Sequence, residues 1–231
     1  LSVGAALGAL LLIERRHLRG TVDSTIEQPA LSNGGRAAAI GIGLTAVVLL
    51  AASAAGIPLG LPTALSGGAT TAFALWRNRE TPWGTLRGIS WLVLPLVAGL
   101  FVMVEGLRQT GVLALLAAWL HTQAQHAAQM TAWGAGITLA LACNIMNNLP
   151  AGLIASSTVT AAHLPQPVTD ALLVGVDLGP NLSITGSLAT ILWLTAIRRE
   201  GEDVTFLTFL ARGAVVMPPA LLLALAGLLL A

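Results

Sequence analysis

Residues 174–194, VGVDLGPNLSITGSLATILWL, decide how this chain folds. An apolar helix leads in and another leads out, but Gly179 and Pro180 cannot carry a helix across the middle. Asn181, Ser183, Thr185 and Ser187 crowd the interruption, and Asp177 stands at its edge. A second stretch, CNIMNNLPAG at 143–152, does the same with Asn144, Asn147 and Asn148 just ahead of Pro150. An unpartnered amide transferred from water to hydrocarbon costs about 4–8 kcal/mol. Two polar, helix-breaking segments inside apolar runs therefore need lining by protein or water.

The surroundings leave little doubt about the solvent. Hydrophobic residues make up 55% of the 231 and charged residues only 9%, with six Trp and no Tyr; mean hydropathy is +0.83. Soluble chains average about 25% charged residues. Long apolar runs rather than short alternating segments favour helices over a barrel. The class is an all-α integral membrane protein. A net charge of +1 without a basic stripe leaves no case for nucleic acid. The single Cys143 excludes a disulfide framework and a multi-cysteine metal site.

Along the chain, residues 1–13 are apolar but shorter than the roughly 20 needed to span, and read as the end of a preceding transmembrane helix. A polar loop, 14–36, follows. Apolar runs then cover 37–57, 63–76 and 89–107, with a loop at 77–88. An interfacial helix from about 111 precedes 133–162, which is too long for one straight span and reads as a re-entrant hairpin with the asparagines at its tip. Residues 168–197 form a helix broken between Asp177 and Ser187, with Thr169 as its expected cap and Asp170 in its first turn. The last span, 206–230, is expected to kink at Pro218 and Pro219. Trp76, Trp83, Trp91 and Trp133 read as interface anchors.

Arginine sets the orientation. Nine of the eleven, Arg15, Arg16, Arg19, Arg36, Arg77, Arg79, Arg87, Arg198 and Arg199, fall in loops 14–36, 77–88 and 198–203, while Arg108 is alone opposite. The positive-inside rule makes the arginine-rich side cytoplasmic. The hairpin then opens from the outside.

Paired Gly/Pro interruptions are the usual pointer to a transporter's midplane site. Asn144, Asn147 and Asn148 supply donors and acceptors from one segment, with Pro150 ending the run. Gly179, Asn181, Ser183, Thr185 and Ser187 supply backbone, amide and hydroxyl groups from the other. Neither break holds an arginine, so the lining suits a neutral polyhydroxylated solute or an oxygen-held cation. Asp177 is the one carboxylate expected deep in the bilayer, and proton or cation coupling is its functional reading; capping the broken helix is the bland one. Glu105 and Arg108 read as a structural ion pair, His121, His126 and His163 as solvated, and Cys143 as a small buried hydrophobe.

At these residues the chain resembles the bacterial arsenite/antimonite efflux permeases, the ArsB family, through 174–194, CNIMNNLPAG, RREG and FLARGAVVMPPALL, over about residues 85–231. The resemblance implies an ion-transporter-superfamily fold of two inverted repeats, each with a hairpin and a broken helix, of which 37–231 would be the second. It implies proton-driven export of arsenite and antimonite across the bacterial inner membrane. Some members also associate with a cytoplasmic arsenic ATPase. No cofactor and no permanent metal are implied, since arsenic is cargo. No second NNLP or DLGPN occurs in the sequence, so the first repeat, the missing N-terminal half, is expected on another segment. Competing readings are a sodium/proton antiporter or a sodium-coupled dicarboxylate carrier of the same superfamily. An intramembrane enzyme is disfavoured because no Gly-x-Ser-x, His-Glu-x-x-His or paired-aspartate pattern is present.

Overall fold

The computed structural model of the protein describes residues 1–15, 33–79 and 81–230. Every regular element among them is helical, in keeping with an all-α membrane protein. The chain divides into two units, residues 22–92 and residues 1–21 with 93–231. Most of the expected 14–36 loop, with Arg16 and Arg19, lies outside the described residues.

The first unit holds α2 to α4, while α1 (Ser2–Glu14) belongs to the other. Helices α2 (Asn33–Ala54) and α3 (Gly60–Asn78) pair antiparallel, Gly41 packing on Thr70 and Gly34 on Asn78. Gly56, at φ 68°, makes the turn between them. Both helices start a few residues before the apolar runs do. Thr63, Ser66 and Thr71 each donate their hydroxyl to a carbonyl four residues back, which satisfies these three groups within α3. The expected 77–88 loop instead contains a short helix, α4 (Pro82–Gly88). Pro82 explains it, since a proline in the first helical turn has its φ preset and no N–H to strand.

The second unit holds the two breaks. Helix α5 (Val93–Gln109) carries the Glu105–Arg108 pair, two parallel contacts of 2.9 Å on an exposed face. Helix α6 (Val112–Met146) is interrupted once, at Ala127, with φ −153° and ψ 71°. The boundary expected at residue 133, between the interfacial helix and the hairpin, is therefore replaced by a bend at Ala127 within one long helix, and Trp133 packs partly buried against the core. Helix α7 (Asn148–Ala162) runs back along α6, so that His121 Nδ1 meets the Ala162 carbonyl at 2.8 Å. Helix α8 (Gln166–Leu178) starts directly after Pro165, with Pro167 in its first turn. Thr169 is consequently inside the helix and not its cap; its hydroxyl turns back toward the Pro165 carbonyl at 3.4 Å. Asp170 accepts from Gln166 Nε2 at 2.7 Å. After two short 3-10 turns, Gly179–Leu182 and Ile184–Gly186, the chain resumes as α9 (Leu188–Arg199).

Helix α10 (Phe206–Leu229) continues as α-helix through both Pro218 and Pro219. It and α2 are each long and apolar enough to cross a membrane. Helix α1 lies antiparallel on α10, with Glu14 Oε1 accepting from Arg212 Nε at 2.7 Å at one end and Leu1 against Gly227 at the other.

Small residues make the core. On α6, Ala132, Gly136 and Ala140 recur every fourth position, and so do Ala171 and Gly175 on α8 and Gly179 at the start of the 3-10 turn that follows it. The two stripes meet backbone to backbone. A Cβ on Gly136 would lie 2.8 Å from the Ala171 carbonyl oxygen, while one on Gly175 or Gly179 would overlap the backbone of Gly136 or Ala140. Where lipid is as apolar as leucine, such close packing supplies the association energy that the hydrophobic effect does not. Met217, Leu221 and Leu225 of α10 close the cluster.

This seam is testable with one methyl group. Gly175→Ala should destabilise the folded protein by about 1–3 kcal/mol through overpacking. Gly134→Ala, on α6 with nothing within 4 Å of the added carbon, should leave stability unchanged or raise it by about 0.5–1 kcal/mol. Thermal midpoints in detergent separate the two, and equal shifts would remove the seam from the core.

Candidate functional site

The hairpin turns on one residue. Asn147 has φ 76° and ψ 152°, a conformation that side chains rarely adopt and that costs of order 1–3 kcal/mol. Asparagine tolerates positive φ better than most residues, and here its side chain works at both ends. Oδ1 accepts from the Leu149 N–H at 3.2 Å, capping α7, and Nδ2 donates to the Thr185 carbonyl at 3.1 Å. Pro150, buried in the first turn of α7, brings no N–H that would need a partner.

The break opposite is built on two extended serines. Ser183 and Ser187 have φ near −140° and ψ near 159° and 141°, separating the 3-10 turns from each other and from α9. Ser187 Oγ accepts from the Ala189 N–H at 3.1 Å and so caps α9. Gly186 sits over the Asn144 amide, where an added Cβ would come 2.6 Å from Oδ1. Gly213 of α10 touches the Asn181 and Leu182 carbonyls from behind.

Asn144 joins the two segments. Its Nδ2 donates to the Ala140 carbonyl at 2.9 Å and the Gly179 carbonyl at 3.0 Å. Its Oδ1 accepts from the Ser183 N–H at 3.0 Å and the Ser183 hydroxyl at 2.9 Å. Two donors and two lone pairs are all that an amide has. Thr185 Oγ1 adds a 2.8 Å bond to the Asn144 carbonyl and lies 3.0 Å from Ser183 Oγ. No buried side-chain polar atom among the described residues lacks a partner. The network is closed.

The sequence candidates thus separate by how much bonding capacity they keep. Asn144, Asn147, Ser183 and Thr185 are joined in one frame, and Gly179 presses its backbone on Ala140. Asn148, part-exposed at the head of α7, makes no side-chain hydrogen bond to any described residue. Asn181 gives one N–H to the Leu178 carbonyl at 3.1 Å and keeps its oxygen. Asp177, in the last turn of α8, is exposed and has no hydrogen-bonding or ionic partner among the described residues, so the capping reading does not describe it. Cys143 is fully buried in the seam. Among the described residues no group of three or more His, Cys, Asp or Glu could hold a metal ion. Sequence reasoning named Gly179 but missed Gly136 and Gly175, the other glycines that let these pieces touch. Their four-residue spacing on α6 and α8 was the available signal.

A family model described as arsenical pump membrane protein matches residues 80–231. A relative of that name from Yersinia enterocolitica is 27% identical over 238 residues, covering 99% of this chain and 56% of the relative. Another from Escherichia coli is 31% identical over 182 residues, 75% of this chain and 42% of the relative. An uncharacterized transporter of Mycobacterium tuberculosis is 33% identical over 155 residues, 60% of this chain and 34% of its own length. The chain spans about half the length of the curated relatives it matches. No solved structure matches it.

Removing the Asn144 side chain should open the network before it removes any ligand. In Asn144→Ala the Ser183 N–H is stranded, a loss of about 1–3 kcal/mol. Hydrogen exchange at Ser183 should accelerate about 5- to 150-fold, since 1.4 kcal/mol is a factor of ten. Unchanged protection there would show that the break holds itself together without the amide.

Proposed function

The chain belongs to the arsenical pump membrane protein family, and from that premise we propose that it forms the hairpin-and-break part of a permease exporting trivalent arsenic. The proposed cargo is arsenite, with antimonite as its heavier analogue, and the proposed setting is the bacterial inner membrane, which the chain crosses several times. The uncommitted Asn148 amide beside a closed polar frame is the observation that carries this reading. Arsenous acid at neutral pH is a small uncharged trihydroxide. An amide offers it one acceptor and two donors. Neutral hydrogen bonds of about 0.5–1.5 kcal/mol each hold such a solute and still let it go. A thiolate would not release it so readily, which suits the burial of Cys143 away from any opening.

In this reading Asn148, Asn181 and Ser187 face the solute. Asn144, Asn147, Ser183 and Thr185 hold the hairpin tip and the break in register, with Pro150 and Gly179 shaping the backbone. Asp177 carries the coupling proton. One charge moving through 100 mV releases about 2.3 kcal/mol. That supports roughly a 40-fold concentration difference for a neutral solute exchanged against one proton. The other half of the permease, and a cytoplasmic arsenic ATPase, are the proposed partners.

Two substitutions test the reading in the full-length protein. Asn148→Ala should abolish arsenite resistance at normal membrane expression, whereas Asn144→Ala should lose folded protein first. Normal resistance in Asn148→Ala would take that amide out of the site. Asp177→Asn should stop proton-driven accumulation in everted vesicles while arsenite counterflow continues, because an amide still fits the solute's hydroxyls. Unimpaired accumulation would put the coupling group elsewhere.

A further inference from the structure

The face of the α7–α8 pair that carries Asp177 also carries polar groups that the site does not use. The two helices are antiparallel neighbours, joined by residues 163–165 at one end and touching through Gly152 and Val176 (3.5 Å from an added Cβ to Cγ1) near the other. On α8, Asp170 and Asp177 are seven residues apart, two turns on nearly the same face and about 10 Å along the axis. On α7, Ser156 falls opposite the stretch between them, is exposed, and has no hydroxyl partner among the described residues. Thr160 follows one turn further along toward the 163–165 loop, also exposed. A helix in an apolar chain does not keep such a stripe toward lipid without cost.

We propose that this stripe is a proton path from the outer side, with Asp170 as its entry carboxylate and Asp177 as its end. The inference rests on the coupling role proposed above for Asp177. By the arginine bias the 163–165 loop faces outside, and Asp170 lies about one turn into α8 from it. A proton from outer water binds the Asp170 carboxylate, giving the neutral acid. It passes through water and the Ser156 hydroxyl to the Asp177 carboxylate, which restores Asp170 as the anion. No other reactant is needed. Gln166 Nε2 donates to Asp170 Oδ1 at 2.7 Å and holds the carboxylate in place at the mouth of the path.

Few other charges bear on this face; α5, which packs on α7, brings Glu105 and Arg108, paired with each other at 2.9 Å. Helix α7 contributes no acid or base beyond His163 at its exposed C-cap. From α6, His121 is held to the Ala162 carbonyl beside the mouth, His126 lies in the helix half before Ala127, and Cys143 is buried in the seam. From α10, Arg212 is engaged by Glu14. The 3-10 turns after α8 carry no ionisable side chain.

The test uses the full-length protein in everted vesicles, where the lumen is the outer side. Asp170→Asn should lower proton-driven arsenite accumulation about tenfold and flatten its dependence on lumenal pH, with counterflow unchanged. Asp170→Glu should restore both. If Asp170→Asn keeps normal accumulation and a normal pH profile while Asp177→Asn loses accumulation, the path is overturned and the coupling role of Asp177 stands. If Asp177→Asn accumulates normally, the underlying reading fails. Should Asp170→Asn not reach the membrane, Ser156→Ala decides: unaltered proton-driven accumulation there overturns the path.

Discussion

The contact between the α6 and α8 backbones is what the rest of the second unit depends on. Glycine and alanine at every fourth position bring the two helices close enough that a single Cβ would collide with a carbonyl. That closeness puts the Asn144 side chain, one turn beyond Ala140, within 3.0 Å of the Gly179 carbonyl and the Ser183 N–H. Widen the seam by a methyl group and the amide can no longer bridge the gap. A hydrophobic seam and a polar clamp are therefore one structure, the first setting the distance at which the second can act.

Unwinding two segments in an apolar environment exposes backbone groups that water cannot reach, and the cost must be met within the protein. Here the side chains that interrupt the helices also satisfy the interruption. Asn147 creates the turn and caps the helix after it; Ser187 ends the break and caps α9. The strain at Asn147 survives because its amide is held at Thr185 on one side and Leu149 on the other. Positive φ in such a residue belongs with the strained positions that cluster at functional sites.

Satisfaction of the frame has a consequence for transport chemistry. A group whose donors and acceptors are all engaged can shape a site but offers little to a passing solute. The groups with capacity left are Asn148, the Asn181 oxygen, the Ser187 hydroxyl hydrogen and the Asp177 carboxylate, and they lie at helix ends or in the break instead of inside the clamp. The proposed division of labour, rigid frame within and few open ligands at its edge, allows weak binding with fast release, as an exporter requires.

Hydropathy and composition alone determined that the chain is a helical membrane protein, because lipid admits no other use for runs so apolar. Asparagine, glycine and proline within those runs located both interruptions, since these residues disturb a helix wherever they occur. Local chemistry could not say where each helix would begin. Pro165 and Pro167 started α8 ahead of Thr169, and Ala127, with nothing unusual in its side chain, took the bend in α6. Nor could it tell Asn144 from Asn148, identical side chains four residues apart in one motif. One faces Gly179 and Ser183 across the seam and is saturated, while the other heads a new helix and is not. Hydrogen-bonding capacity is spent or kept according to which backbone lies within about 3 Å, and only the packing of α6 against α8 decides that.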